Sequence, residues 1–260
     1  LNGKRVGIIG GGASAVQIIT DIGDKVGHLT SFQRTVQWIY PWPHETYDEK
    51  RRKEFREHPE TLEALNKEIW SVLRMIASFV IDANAKEALE VQAACEKHLE
   101  EKVKGHALRK NLTPNYRAGC KRMIFNSGYY EAMQLPTSEL VTEKIERIEP
   151  NGVRTADGRL HELDVLILAT GYRTGVYMLP SIKIIGRDGI DLATAWKDSP
   201  YAYRTISVPD FPNMFMMIGP GSPIGNFSLM TVVEILFDYM LPLFNKLRDG
   251  ECLEINASRE

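Results

Sequence analysis

The stretch that most restricts the fold is Val6-Gly7-Ile8-Ile9-Gly10-Gly11-Gly12-Ala13-Ser14-Ala15, an apolar run entering a glycine turn in the order G-x-G-x-x-A. Residues 4–9 read as a strand and residues 16–22 as a helix, so the glycines fall at a strand-to-helix turn. In that context such a loop binds a dinucleotide. Gly10 permits a tight turn, Gly12 lets backbone approach a pyrophosphate, and Ala15 is small enough for the helix to pack on the strand. Free N–H groups at the helix start, around Ala13 and Ser14, would meet the anion where the helix dipole favours it. The expected fold class is α/β, a Rossmann-like domain with a parallel sheet.

A second strand is predicted over His28-Leu29-Thr30-Ser31-Phe32-Gln33-Arg34. Its end lies about 20 residues past the loop, where an NAD site carries an acid that bonds the adenosine 2′-hydroxyl. Arg34 stands there instead. A carboxylate would repel the 2′-phosphate of NADP, whereas a guanidinium binds it in a charge-assisted fork, with the Thr35 hydroxyl beside it. The alternative reading is an ordinary solvated arginine.

The 260 residues allow one large domain or two modest ones. A net charge of −2 gives no global basic field for nucleic acid, so small-molecule partners are expected. Cys95, Cys120 and Cys252 are scattered without a C-x-x-C pair, which suits a reducing compartment and predicts the cytoplasm. The six histidines never pair at ligand spacing, and no metal site is expected. Ser14 lacks the second glycine of G-x-S-x-G, and Cys120 has no partner base nearby, so neither reads as a nucleophile. The chain enters a strand at once, without the pattern of a signal peptide. The apolar run 69–81 is too short to span a bilayer and carries Arg74. The run 229–247 is interrupted by Glu234, Asp238, Asn245 and Lys246, and Pro242 would kink or end it; it is predicted to be a core-facing helix.

After the first strand–helix–strand unit, Pro41-Trp42-Pro43 breaks the pattern, and residues 45 to about 112 read as a helical insertion. Leu62, Leu65, Ile69, Val72, Leu73 and Ile76 recur at helical spacing, as do Ala88, Val91, Cys95 and Leu99. From Leu140 short alternating strands are predicted at 140–142, 145–148, 152–155 and 160–162, forming an antiparallel β meander with Asp157-Gly158 as a turn. Asp164-Val165-Leu166-Ile167-Leu168 reads as a strand buried on both faces of a parallel sheet, ending at the cofactor edge in Ala169-Thr170-Gly171. Beyond it, 182–185 with 191–192 predict a hairpin, 214–218 a strand, and Gly219-Pro220-Gly221-Ser222-Pro223 a turn before the last helix.

The order of these stretches resembles the NADPH- and FAD-dependent class B flavoprotein monooxygenases, most closely the Baeyer–Villiger type. The residues that carry the resemblance are Gly3-Lys4-Arg5-Val6 with its glycine loop, Phe32-Gln33-Arg34-Thr35, Gly119-Cys120-Lys121-Arg122, Asp164 with Ala169-Thr170-Gly171-Tyr172, Phe211-Pro212-Asn213 and Gly219-Pro220-Gly221-Ser222-Pro223. The resemblance implies that residues 1–172 form an NADP-binding domain and residues 173–260 the C-terminal segment of a discontinuous FAD-binding domain. The family's FAD-binding glycine loop and its Phe-x-Gly-x-x-x-His-x-x-x-Trp fingerprint are not in this sequence. A fragment that binds FAD weakly or not at all is therefore expected.

Arg34, Thr35 and Lys121 match the positions that hold the 2′-phosphate, with Gln33 in the same motif, and Arg122 matches the arginine near the flavin and nicotinamide. Read without the family, Lys121-Arg122 is only a basic pair at a loop or helix start. The resemblance implies use of NADPH and O2 to convert a ketone to an ester or lactone. Arg122 would stabilise developing negative charge, a role whose loss typically costs about 10²–10³ in rate. Two other functions stay open: oxygenation of soft nitrogen or sulfur, and a non-catalytic NADP-binding module. Oligomeric state is not legible in the sequence.

Overall fold

The structure is a computed structural model that describes every residue except 43–45, 79–81, 83, 173–181, 223–227 and 260. The chain divides into two compact units, Leu1–Gly171 and Tyr172–Glu260.

In the first unit, strand β1 (Arg5–Ile9) leads through the glycine loop into helix α1 (Ala13–Ile22), followed by strand β2 (His28–Phe32). Val6 and Ile8 have no exposed surface, and α1 lays Ala15, Val16 and Ile19 against the sheet. Ala15 is wholly buried, as its small size requires at this contact. Strands β5 (Ser138–Val141) and β9 (Val165–Leu168) complete a four-stranded sheet of order β5-β2-β1-β9, with every pair parallel. Successive strands step from β1 to β2 and β5 on one side, while β9 returns on the other. The carboxyl ends of β1 and β9 therefore flank a topological switch point, where open α/β sheets bind ligands.

Two expectations change in this sheet. The segment around residues 140–142 belongs to β5 and pairs in parallel with β2, rather than opening the meander. The antiparallel meander consists of β6 (Ile145–Glu149), β7 (Gly152–Thr155) and β8 (Leu160–Glu162) alone. Nor is β9 buried on both faces. It is an edge strand whose residues 165–167 are half-buried, and Leu168 is 63% exposed. Arg5 pins its entry: Asp164 accepts from the Arg5 backbone N–H at 2.8 Å and from its guanidinium at 2.9 Å, and Glu162 accepts from the same guanidinium at 2.6 Å.

The insertion is helical as predicted, in α2 (Glu49–Glu57), α3 (Pro59–Ala77), α4 (Lys86–Lys102) and α5 (His106–Leu112). Only the second predicted stripe is a core stripe: α4 buries Ala88, Val91, Cys95 and Leu99, together with His98. On α3, Leu62 is 44% exposed and Leu65, Ile69, Val72 and Leu73 are half-buried; the side chain of Ile76 lies outside the described ones. A two-residue parallel pair not foreseen in the sequence, β3 (Ile39–Tyr40) with β4 (Ile124–Phe125), ties the segment after Arg34 to the segment after Lys121. Asn126 then caps the short helix α6 (Tyr129–Ala132), its Oδ1 accepting the N–H groups of Gly128 and Tyr129.

The second unit has its own core in Leu192, Trp196, Val208 and Phe211, Leu192 lying on the short helix α7 (Leu192–Ala195). The predicted hairpin is reduced to a single antiparallel bridge, Ile185 with Asp191. Residues 214–218 form no strand. Backbone N–H groups there go to separate acceptors, Met214 to Phe211 and Met216 to Ile206, and Asn213 just before them takes a positive φ. Helix α8 (Leu229–Arg248) runs through Pro242 without ending. It is not the core-facing helix predicted: within its unit it buries Val232 and Met240, while Met230 is 72% and Ile235 62% exposed.

Candidate cofactor-binding site

The site is built at the carboxyl edge of the parallel sheet. Gly10 takes φ +138, and its N–H donates to Phe32 O at 3.1 Å. A Cβ here would stand 2.2 Å from the carbonyl oxygen of Ala169, so only glycine lets β1 turn while β9 ends alongside. Gly12 differs. A Cβ there would meet nothing within 4 Å, which leaves open space beside its backbone for a ligand.

Gly12 is also the N-cap of α1, with no side-chain cap and no acidic residue in the first turn. The first backbone bond outside the turn is donated by Val16 to Gly12 O, so the N–H groups of Ala13, Ser14 and Ala15 are left to an external acceptor. An uncapped N-terminus next to open space suits an anion. Ala169 closes the rim by donating its N–H to Ile9 O at 2.9 Å, and Thr170 and Gly171 follow it, both exposed, Gly171 with φ +86.

Two residues past β2, Arg34 is exposed and has no hydrogen-bond or ion-pair partner among the described residues, and Thr35 is half-buried. Gln33 is placed differently from a ligand. It is 3% exposed, and its amide donates to Ser31 Oγ at 2.8 Å and Tyr129 OH at 2.7 Å. These bonds fix the chain just past the end of β2, where Gln33 is buried and the next residue, Arg34, is exposed. Burial pushes the Tyr129 phenol up to about 12, against the opposing effect of the Gln33 bond.

Lys121 and Arg122 are exposed, and Lys121 Nζ stands 4.6 Å from the centre of the Tyr116 ring. Tyr116 is the link to the Arg34 loop. Its hydroxyl shares its one proton between Val36 O at 3.0 Å and Gln37 Oε1 at 2.8 Å, and its backbone carbonyl accepts from Trp38 Nε1 at 2.6 Å. The parallel register Ile39 to Ile124 agrees: Val36 and Lys121 each lie three residues before that pair. The structure thus brings the Lys121 segment to the segment that follows Arg34. Sequence reasoning missed Tyr116, Asn126 and Tyr129; the only local signal was their place around the basic pair.

No group of three or more His, Cys, Asp or Glu among the described residues is arranged to hold a metal ion, and no helix of those residues is long and apolar enough to cross a membrane.

No family model matches the chain. It is 38% identical over 251 residues to an uncharacterised monooxygenase of Mycobacterium bovis, covering 96% of this chain and 50% of the relative. It is 33% identical over 258 residues to a Baeyer–Villiger monooxygenase of Pseudomonas aeruginosa, covering 99% of this chain and 48% of the relative. Over the matched residues, the chain is similar in sequence to both of these monooxygenases. It spans about half the length of the curated relatives it matches.

Solved structures show the same likeness. An open crystal structure of cyclohexanone monooxygenase superposes with a TM-score of 0.82 at 27% identity, over 100% of this chain and 57% of that one. Cyclohexanone monooxygenase from Rhodococcus sp. Phi1 bound to NADP+ superposes with a TM-score of 0.78 at 26% identity, over 100% of this chain and 55% of that one.

Proposed function

We propose that this chain carries the NADP(H)-binding part of a flavin-dependent monooxygenase that uses NADPH and O2 to insert one oxygen into a ketone, giving an ester or lactone. Residues 1–172 are read as the NADP domain and residues 173–260 as a segment of the FAD domain. The observation that carries the reading is the uncapped start of α1 beside the open side of Gly12, together with an exposed arginine two residues past β2 that has no hydrogen-bond or ion-pair partner among the described residues. These residues fit a 2′-phosphorylated dinucleotide. The N–H groups of Ala13, Ser14 and Ala15 hold the pyrophosphate, Gly10 shapes the turn, and Ala169, Thr170 and Gly171 form the rim. Arg34 and Lys121 neutralise the 2′-phosphate, with Thr35 as a further donor.

FAD, when bound, supplies the redox chemistry by accepting the hydride of NADPH and activating O2. The contribution read for this chain is to orient the dinucleotide and, through the Arg122 guanidinium, to stabilise negative charge developing near the nicotinamide. The P. aeruginosa relative and the cyclohexanone monooxygenase neighbours support a ketone as substrate over a nitrogen or sulfur centre. The free thiols of Cys95, Cys120 and Cys252 support a reducing compartment, read as the cytoplasm.

The test is binding of NADPH and NADH to the chain and to Arg34→Ala/Lys121→Ala. Charged hydrogen bonds of this kind are worth about 1.5–3 kcal/mol each. NADPH should weaken by at least ~10-fold, while NADH changes less than ~2-fold. Equal loss for both dinucleotides would remove the 2′-phosphate from the reading. A visible spectrum after adding FAD, and product analysis with a ketone and a thioether, separate the ketone monooxygenase from a binding module and from a sulfur oxygenase.

A further inference from the structure

We propose that Tyr116 is a positioning residue that holds the Lys121 ammonium in place and thereby sets the preference for a 2′-phosphorylated dinucleotide. The inference rests on the NADP(H) reading. A lysine on an exposed loop spreads over many rotamers and loses that freedom when it grips a phosphate. Here the loss is reduced in advance. Lys121 Nζ lies over the Tyr116 ring at 4.6 Å from its centre, within the range in which the ring face attracts a cation.

The residue is held at both ends. Its hydroxyl shares its one proton between Val36 O and Gln37 Oε1, and its backbone carbonyl accepts from the indole N–H of Trp38, which is 4% exposed. The loop between ring and lysine is braced by α4, where Gln92 Oε1 accepts the Ala118 N–H at 2.6 Å. Burial pushes the Tyr116 phenol up to about 12, so the hydroxyl stays a donor throughout the physiological range. Every tether of Tyr116 to residues 36–38 reaches the segment that begins just after Arg34 and Thr35. One aromatic residue therefore lies under Lys121 and is tethered to the segment that follows Arg34. Lysine keeps its donors free above the ring, because a cation–π contact uses the charge rather than a directed N–H bond.

The experiment measures NADPH and NADH dissociation constants for the 260-residue chain and for Tyr116→Leu and Tyr116→Phe, each with Lys121 present and with Lys121→Ala. Tyr116→Leu is expected to lower the NADPH-to-NADH preference roughly 2- to 5-fold, the size of an exposed cation–π contact. Tyr116→Phe, which keeps the ring, recovers most of it, and Tyr116→Leu does nothing further once Lys121 is alanine. An unchanged preference in Tyr116→Leu, or the same loss in both backgrounds, overturns the proposal. If Lys121→Ala alone abolishes the preference while Tyr116→Leu leaves it intact, the NADP(H) reading stands and this inference fails. A wild-type chain without preference for NADPH overturns both. Should Tyr116→Leu not fold, the wild-type chain decides by NMR: the Lys121 side-chain methylene protons, assigned against Lys121→Ala, are shifted upfield by the ring, and their absence from that region overturns the contact.

Discussion

Gly10 and Gly12 stand two residues apart in one loop, yet the structure assigns them opposite failures. Gly12→Ala introduces a methyl group into space empty to 4 Å, at a φ of −83 that alanine adopts freely. As an N-cap, alanine is worse than glycine, by an amount near the low end of the ~0.5–2 kcal/mol scale of capping effects. Restricting the unfolded chain returns about 0.4–1 kcal/mol. The two nearly cancel, so stability should stay within about 0.5 kcal/mol of the parent. Binding should not: the methyl occupies the proposed approach of a pyrophosphate to backbone N–H groups, and NADPH should weaken by ~10-fold or more, the loss of about one charged hydrogen bond.

Gly10→Ala meets φ +138 and a carbonyl oxygen at 2.2 Å. Backbone strain of about 1–3 kcal/mol adds to about 1–3 kcal/mol of overpacking. At roughly 2–4 °C per kcal/mol for a chain of this size, the melting midpoint should fall by at least ~4 °C. Thermal unfolding followed by tryptophan fluorescence, paired with a dinucleotide titration, reads both effects. A Gly12→Ala protein that binds NADPH like the parent would refute the assignment of that open space to the pyrophosphate.

Acid stability offers a second check. The Arg5 side chain and backbone N–H hold the Asp164 carboxyl down to about 2. A depressed folded pKa gives stability that is present above the unfolded value of about 3.9 and lost as pH falls through the folded one. Between pH about 4 and 2 the parent should lose stability faster than Asp164→Asn; parallel acid limbs in urea titrations would count against the bond. Thiol chemistry offers another. Cys95 is wholly buried with its thiol pushed up to about 12, whereas Cys120 is exposed. Maleimide followed by mass spectrometry should modify Cys120 in the native chain and Cys95 only after unfolding, and native modification of Cys95 at the Cys120 rate would contradict the packing of α4.

Much of the fold was legible because its signals are local. The apolar strand, the glycine turn and the small Ala15 are all imposed within ten residues of one another, and the structure reproduces them as β1, the loop and α1. The α4 stripe was legible for the same reason, since helical spacing places Ala88, Val91, Cys95 and Leu99 on one face. The α3 stripe has the same spacing but half-buries Leu65, Ile69, Val72 and Leu73 and leaves Leu62 exposed, because periodicity shows which residues share a face and not how fully another element covers it. The segment around Leu140 shows the matching limit for strands. Alternation marks a strand without naming its partner, and β2 took it in parallel.

By itself, the sequence determined a strand–glycine-turn–helix unit, an arginine where an acid would select NAD, and a basic pair far along the chain, because each depends on residue type and short spacing. Tertiary structure alone decided that the Gln33 amide reaches Tyr129 while Arg34 has no hydrogen-bond or ion-pair partner among the described residues, and that Tyr116 joins the Lys121 loop to residues 36–38. Those outcomes depend on contacts between residues roughly 80 to 100 positions apart. Such contacts form only when the parallel pairs β1–β2 and, in a separate small sheet, β3–β4 have brought distant segments together, and no local pattern encodes that meeting.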